Sequence, residues 1–203
     1  MTATDSSTTH RLLSAFGEGD NGALDELLTH HRAYLGRVIA THIDVQLQGR
    51  IDPSDIVQDT LVAATRRIED FLTRRPTTFR IWLRHQAIER LIDARRQHLR
   101  LKRDARRDTA VNDASSMAIA AGLLGNRASE HLMRREVVAI VQQAMSTLAE
   151  SDREVLLLRH GEQLSNGEAA DVLKISTAAA SKRYGRALAH LGVELRRLGV
   201  SQF

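Results

Sequence analysis

Thr177, Ser181, Lys182, Arg183 and Arg186 bring two hydroxyls and three cations together at helical spacing near the end of the chain. Hydroxyls and cations on one side of a helix suit phosphate oxygens and base edges in a major groove. The same spacing also suits an ordinary solvated basic face, and both readings stand at this point. A second set has the opposite sign. Asp55, Gln58 and Asp59 fall on the outward side of a stretch whose other side is apolar. Carboxylates are repelled by DNA, so Asp55 and Asp59, with Gln58 between them, face either water or a basic protein surface. Asp55 also complements the positive end of a helix, which is reason enough for its presence.

Covalent and metal chemistry find little support. Cysteine is absent, which excludes disulfides and thiolate-bound zinc. His30 and His31 are adjacent and point in different directions on a helix, a poor metal pair. His85 and His98 lie among cations, where contact with water or phosphate suits them better than ligation. Gly17-Glu-Gly-Asp-Asn-Gly22 has no preceding strand, and no phosphate-binding loop or nucleophile motif occurs. No catalytic residue, metal or cofactor is expected.

The elements that must position these residues are helices. Ser165-Asn-Gly-Glu168 reads as a capping box, with a short helix to Leu173. Ser176 suits the N-cap of a second helix that runs to about Leu191. Ala169, Leu173, Ile175 and Ala180 stand where two crossed helices must touch. The pattern is that of a helix-turn-helix, with Lys174 at a turn position that often demands positive φ. A non-Gly residue there costs about 1–2 kcal/mol.

Upstream, Asp52 suits an N-cap and Pro53 the first helical position. That helix continues to about Leu72 with Val57, Leu61, Ala64, Ile68 and Phe71 along one face. Thr73–Thr78 reads as a basic loop. A long helix follows from Phe79, with Trp82, Leu83, Ala87, Leu91 and Ala94 inward and a strongly cationic far end. Residues 1–9 read as frayed, and Gly17, Gly19 and Gly22 divide the stretch from Leu12 to Ile39 into two helices.

Composition agrees. Hydrophobic residues form 42% of the chain, aromatics only 3%, and strand-like alternation is scarce, so the fold class is all-α. At 203 residues, two small helical domains are as plausible as one. The expected division is 10–103, a linker over 104–130, and a helix-turn-helix domain over 131–198. The polar N-terminus and the lack of an apolar run near about 18 residues predict no membrane insertion and a cytoplasmic protein.

Two blocks carry a family resemblance. D-P-S-D-I-V-Q-D-T-L, followed by F-R-I-W-L-R and the Arg-rich helix, resembles region 2 of a bacterial sigma factor. L-A-E-S-D-R-E-V-L-L-L-R-H-G-E-Q-L-S-N-G-E-A-A-D-V-L-K-I-S, with A-A-A-S-K-R-Y-G-R-A-L behind it, resembles region 4. The order and the compact layout resemble the extracytoplasmic-function group of the sigma-70 family.

The resemblance implies that Asp55, Gln58 and Asp59 dock on the clamp coiled coil of core RNA polymerase. It implies that the −10 element of promoter DNA meets Arg74, Arg75, Arg84, His85, Arg90, Arg95 and Arg96. It assigns the −35 element to Ser176, Thr177, Ser181, Lys182, Arg183 and Arg186. An anti-sigma factor is a further candidate partner. Two positions depart from the common pattern. Gln86-Ala87-Ile88-Glu89 stands where many relatives carry Ile-Ala-x-Asn, and Ser181-Lys182 reverses a common Lys-Ser order. The rival readings are a helix-turn-helix regulator that binds duplex DNA without joining polymerase, and a protein-interaction module that sequesters a partner.

Overall fold

The computed structural model describes residues 3–43, 51–100, 119 and 131–200, which are helices and short connections with no strand among them. The chain divides into two compact units, Met1–Arg107 and Asp108–Phe203. The expected linker lies outside the described residues except for Ile119, which is helical and fully buried among the core side chains of the second unit.

The first unit holds α1 (Ala3–Gly17), α2 (Asn21–His42), α3 (Pro53–Arg74) and α4 (Phe79–Arg100). Local chemistry sets their ends. The Asp20 carboxylate accepts from the backbone N–H groups of Gly22 and Ala23, which caps α2. Gly19 makes the preceding bend at φ 102°, a conformation that favours glycine. Asp52 caps α3 by accepting from Ser54 N–H at 2.8 Å, with Pro53 directly after it. The hydrogen bonds from Ser54 hold the Asp52 carboxyl below the usual carboxylate range.

α2, α3 and α4 pack on one another, and α1 packs on α2. The centre is aromatic: Phe71 of α3 meets Phe79 and Trp82 of α4 at ring separations of 5.4 and 4.9 Å. His31 of α2 lies edge-on to Phe79 at 5.3 Å. Such pairs contribute about 0.5–1.5 kcal/mol each beyond their area. Trp82 is therefore a core side chain, as its spacing predicts.

Two helix ends differ from expectation. α1 starts at Ala3 although residues 1–9 read as frayed. Buried Leu12 and the bond between Thr9 Oγ1 and His31 Nε2 (3.0 Å) tie it to the rest of the unit. α3 runs two residues beyond Leu72. Thr73 donates its hydroxyl to Glu69 O, and Arg75 closes the helix in the left-handed conformation at φ 38°, its N–H bonded to Phe71 O.

The second unit holds α5 (His131–Thr147), α6 (Glu150–Leu156), a π-helical turn (Leu157–Gly161), α7 (Asn166–Leu173) and α8 (Thr177–Arg197). α8 is the spine on which α5, α6 and α7 pack. Val141, Met145, Leu148, Val155, Leu156, Leu191 and Leu195 form its core with Ile119. Periodicity predicts an end for α8 near Leu191, but buried Leu195 carries it one and a half turns further.

The open carbonyls at the end of α5 are met by Arg153 of α6. Its guanidinium donates to Met145 O (3.1 Å), Ser146 O (3.3 Å) and Leu148 O (3.1 Å). The capping box forms as predicted: Glu168 N–H donates to Ser165 Oγ at 3.2 Å, and Ser165 N–H donates to Glu168 Oε2 at 2.7 Å. Ser176 Oγ accepts from Ala179 N–H at 3.2 Å. Lys174 takes the left-handed conformation at φ 54° and ψ 43°, closing α7 through bonds to Ala170 O and Asp171 O.

Because a side chain is disfavoured there, Lys174→Gly is expected to stabilise the second unit by about 1 kcal/mol. Hydrogen exchange of α7 and α8 amides measures this, and unchanged or faster exchange contradicts it.

Candidate nucleic-acid and protein interfaces

The outer side of α3 is acidic because its inner side is spent on Ile56, Val57, Thr60, Leu61, Ala64, Ile68 and Phe71, all buried. Asp55, Gln58 and Asp59 are exposed. Asp59 also lines a shallow concavity with Arg90, Asp93, Ala94, Arg96 and Gln97 of α4.

The cations of this unit divide by environment. Arg74 Nε lies 2.8 Å from Asp70 Oδ1, an exposed pair of the kind that contributes about 0–1 kcal/mol. Arg75 is exposed at the C-cap of α3. Arg84 Nη2 sits 3.2 Å from His42 Nε2, while His85 is exposed. Arg90 and Arg96 both approach Asp93, at 3.8 and 3.7 Å, and Arg95 is half-buried.

Glu89 is accommodated by a residue that the sequence reading did not consider. Arg67 of α3 donates through Nη1 to Gln86 Oε1 (2.9 Å) and lies 3.3 Å from Glu89 Oε2. No spacing within α4 announces this partner, because Arg67 reaches it from another helix.

In the second unit α7 and α8 meet across the Lys174 turn, with Ala169, Ala170 and Ala180 buried at the crossing. Leu173 and Ile175 are half-buried there. Thr177, Ser181 and Lys182 are exposed and Arg183 is half-buried. Ser176 uses its hydroxyl for the cap.

Arg186 has a partner that its sequence neighbours do not reveal. Its guanidinium grips Asp152 of α6, with Nη2 to Oδ1 at 2.6 Å and Nε to the two oxygens at 3.1 and 3.4 Å. Asp152 is only 1% exposed, and His190 Nδ1 adds a bond to its Oδ2 at 2.9 Å. Burial raises the Asp152 carboxyl, but the hydrogen bond from Arg186, aided by His190, outweighs it and holds the group below its usual range. Arg186 is shifted upward by the same bond.

At 100° per residue, Arg186 and His190 flank one side of the buried stripe of α8, and Ser181 flanks the other. On that other side Asn166 Nδ2 donates to Thr177 O (3.0 Å) and Ser181 Oγ (2.8 Å). Lys182 stands on the outward ridge between them.

The π-helical turn adds a third anchor. His160 Nε2 lies 3.0 Å from the Tyr184 hydroxyl, and Arg159 lies over the Tyr184 ring at 5.2 Å. Burial, and then the charge of Arg159, push the His160 imidazole below its ordinary value.

Among the described residues, no group of three or more His, Asp or Glu could hold a metal ion, and no helix is long and apolar enough to cross a membrane.

Comparison with known proteins gives this geometry a family. Residues 27–101 match the sequence profile of Sigma-70 region 2, and residues 139–191 match Sigma-70, region 4. Together these matches span more than half of the chain, one in each compact unit. The chain belongs to the sigma-70 family, with the compact arrangement of regions 2 and 4 found in its extracytoplasmic-function group.

Among its curated relatives is the RNA polymerase sigma factor CnrH of Cupriavidus metallidurans, 29% identical over 188 residues, covering 91% of this chain and 93% of CnrH. Another is the RNA polymerase sigma factor NccH of Alcaligenes xylosoxydans xylosoxydans, 29% identical over 189 residues, covering 93% of this chain and 95% of NccH. The solved structure of CnrH in complex with the cytosolic domain of CnrY is similar in fold, with a TM-score of 0.53 and 25% identity. It covers 95% of this chain and 97% of that one.

Two outcomes follow from the anchors of α8. Arg186→Ala leaves the buried Asp152 carboxylate with His190 alone and is expected to destabilise the second unit by about 1–3 kcal/mol. Asp152→Leu combined with Arg186→Leu is expected to recover most of that loss, read by thermal denaturation.

The second outcome concerns pH. The His160 imidazole is lowered, so between about pH 6.5 and its folded value the unfolded chain holds the extra proton. Its contribution is present above about pH 6.5 and lost on acidification. Asp152 acts in a separate window, its contribution lost below about pH 4 as its lowered carboxyl protonates. After correction for intrinsic exchange, which slows on acidification, the protection of α8 amides is expected to fall between about pH 7 and pH 5.5, and His160→Gln should flatten that fall; an unchanged slope in that variant refutes the assignment.

Proposed function

We infer that this chain serves as an RNA polymerase sigma factor whose two helical units bind core polymerase and a bipartite promoter. One observation carries the reading. Regions 2 and 4 match in the family's order, each on its own compact helical unit. A free-standing helix-turn-helix regulator gives no reason for the first of these matches.

In this reading α3 docks on a basic face of the polymerase through Asp55, Gln58 and Asp59, which explains carboxylates on a DNA-binding protein. The cations around α4, Arg74, Arg75, Arg84, His85, Arg90, Arg95 and Arg96, attend the −10 element. Opening of that element exposes single-stranded DNA, which favours a cationic groove. Trp82 is packed in the core, so base stacking does not fall to it.

α8 enters the −35 major groove, with Lys182 outermost and Thr177, Ser181 and Arg183 beside it. Arg186, gripped by Asp152 through one edge of its guanidinium, keeps its remaining N–H groups for a phosphate or guanine. Ser176 shapes the start of this helix.

The chain contributes binding energy, and the bond-making chemistry belongs to the polymerase. It works in the cytoplasm, where the polymerase and promoter are. CnrH is solved in a complex with the cytosolic domain of CnrY, which supports an anti-sigma factor as a further partner here.

Reconstitution with core RNA polymerase on a genomic fragment library is expected to give promoter-specific transcripts. Asp55→Lys and Asp59→Lys are expected to abolish holoenzyme formation while the helical circular dichroism is unchanged. Wild-type levels of polymerase bound to both variants in pull-downs would falsify the assignment of α3.

A further inference from the structure

Ser181 differs from three threonines set within the helices of the first unit. Thr60, Thr65 and Thr73 each donate to the carbonyl four residues back, at 2.7, 3.0 and 2.9 Å. The equivalent acceptor for Ser181 is Thr177 O, which in an α-helix already takes the backbone N–H of Ser181. Asn166 Nδ2 occupies the other side of that carbonyl, at 3.0 Å. The same amide donates to Ser181 Oγ at 2.8 Å.

The polarity of this arrangement is set by chemistry. If the amide were turned over, Asn166 Oδ1 would face the Thr177 carbonyl oxygen, acceptor against acceptor. The NH₂ group is therefore the one at the crossing. Oδ1 is buried and has no hydrogen-bond partner among the described residues, so it offers no competing interaction that would turn the amide. Ser181 Oγ accepts from Asn166 and donates to no carbonyl among the described residues, so its O–H is left for whatever α8 faces.

We propose that Asn166 is a positioning residue that turns Ser181 into an outward hydrogen-bond donor, so that Ser181 selects a base presenting an acceptor in the −35 major groove. The inference rests on the reading of α8 as the promoter-facing helix. Acceptors there are N7 and O6 of guanine, N7 of adenine and O4 of thymine; the exocyclic amines of cytosine and adenine are donors. The amine of cytosine leaves Ser181 no acceptor on that base, and cytosine is disfavoured at its position. Asn166 lies outside α8 and need not touch DNA itself.

The test uses holoenzyme reconstituted from the full chain and core RNA polymerase, with a promoter library randomised across the −35 element. Wild-type holoenzyme is expected to deplete cytosine at one position of the bound pool. Ser181→Ala and Asn166→Ala should both relax preference at that same position, by about 2- to 12-fold, the worth of one hydrogen bond. Preferences elsewhere and the salt dependence should be unchanged.

Asn166→Asp is the discriminating variant. Its carboxylate, close in size to the amide, can donate to neither Thr177 O nor Ser181 Oγ and draws the Ser181 O–H inward, which should erase the preference at that position while other positions keep theirs. A merely structural role for Asn166 would instead weaken all sequences alike, and that result overturns the proposal. So does an unchanged base preference in Asn166→Ala and Asn166→Asp. Failure of wild-type holoenzyme to select any −35 sequence would count against α8 as a promoter reader, a separate failure.

Discussion

A carboxylate taken almost entirely out of water must be met by hydrogen-bond donors, and Asp152 is in that position. Arg186 and His190, one helical turn apart, both reach it from α8. Two bonds at successive turns fix the rotation of a helix about its axis more firmly than apolar packing, which is non-directional. The opposite flank is held by Asn166, and Tyr184 is held by His160. With both flanks fixed, the outward ridge of α8 is fixed as well, and Lys182 stands on it.

The first unit obeys a simpler constraint. A helix can bury one stripe, so whatever lies opposite is left to solvent or to partners. On α3 the buried stripe ends at Phe71, which meets Phe79 and Trp82 of α4. That aromatic meeting orients both helices and leaves Asp55, Gln58 and Asp59 on the outer side. Arg67 links the same two helices on a polar edge, where it supports Gln86 and Glu89 together. A carboxylate that would repel DNA is thereby partly neutralised by a cation from α3.

The features legible in the sequence were those in which cause and effect lie within one helical turn. Asp52 and Pro53, the Ser165–Glu168 box, Ser176 and the left-handed Lys174 all act on backbone groups at most a few residues away. The buried face of α3 was legible for the same reason, since its periodicity repeats every turn. Helix ends were read less well. α1 and α8 extend beyond the expected limits because Leu12 and Leu195 are buried against neighbours that no local pattern displays, while α3 gains its last residues from the Thr73 hydroxyl bond to Glu69 O.

The sequence by itself determined the helices, their caps, the acidic and basic faces, and the order of two family blocks, because these depend on short-range spacing and on residue type. Only the tertiary structure decided which polar side chains meet across helices. Arg186 with Asp152, Arg67 with Glu89, and Asn166 with Ser181 are each formed across different helices, at separations of 34, 22 and 15 residues. Hydrogen bonds require a separation near 3 Å and a defined direction. Helix crossing angles set both, and the spacing of residues along one helix contains neither.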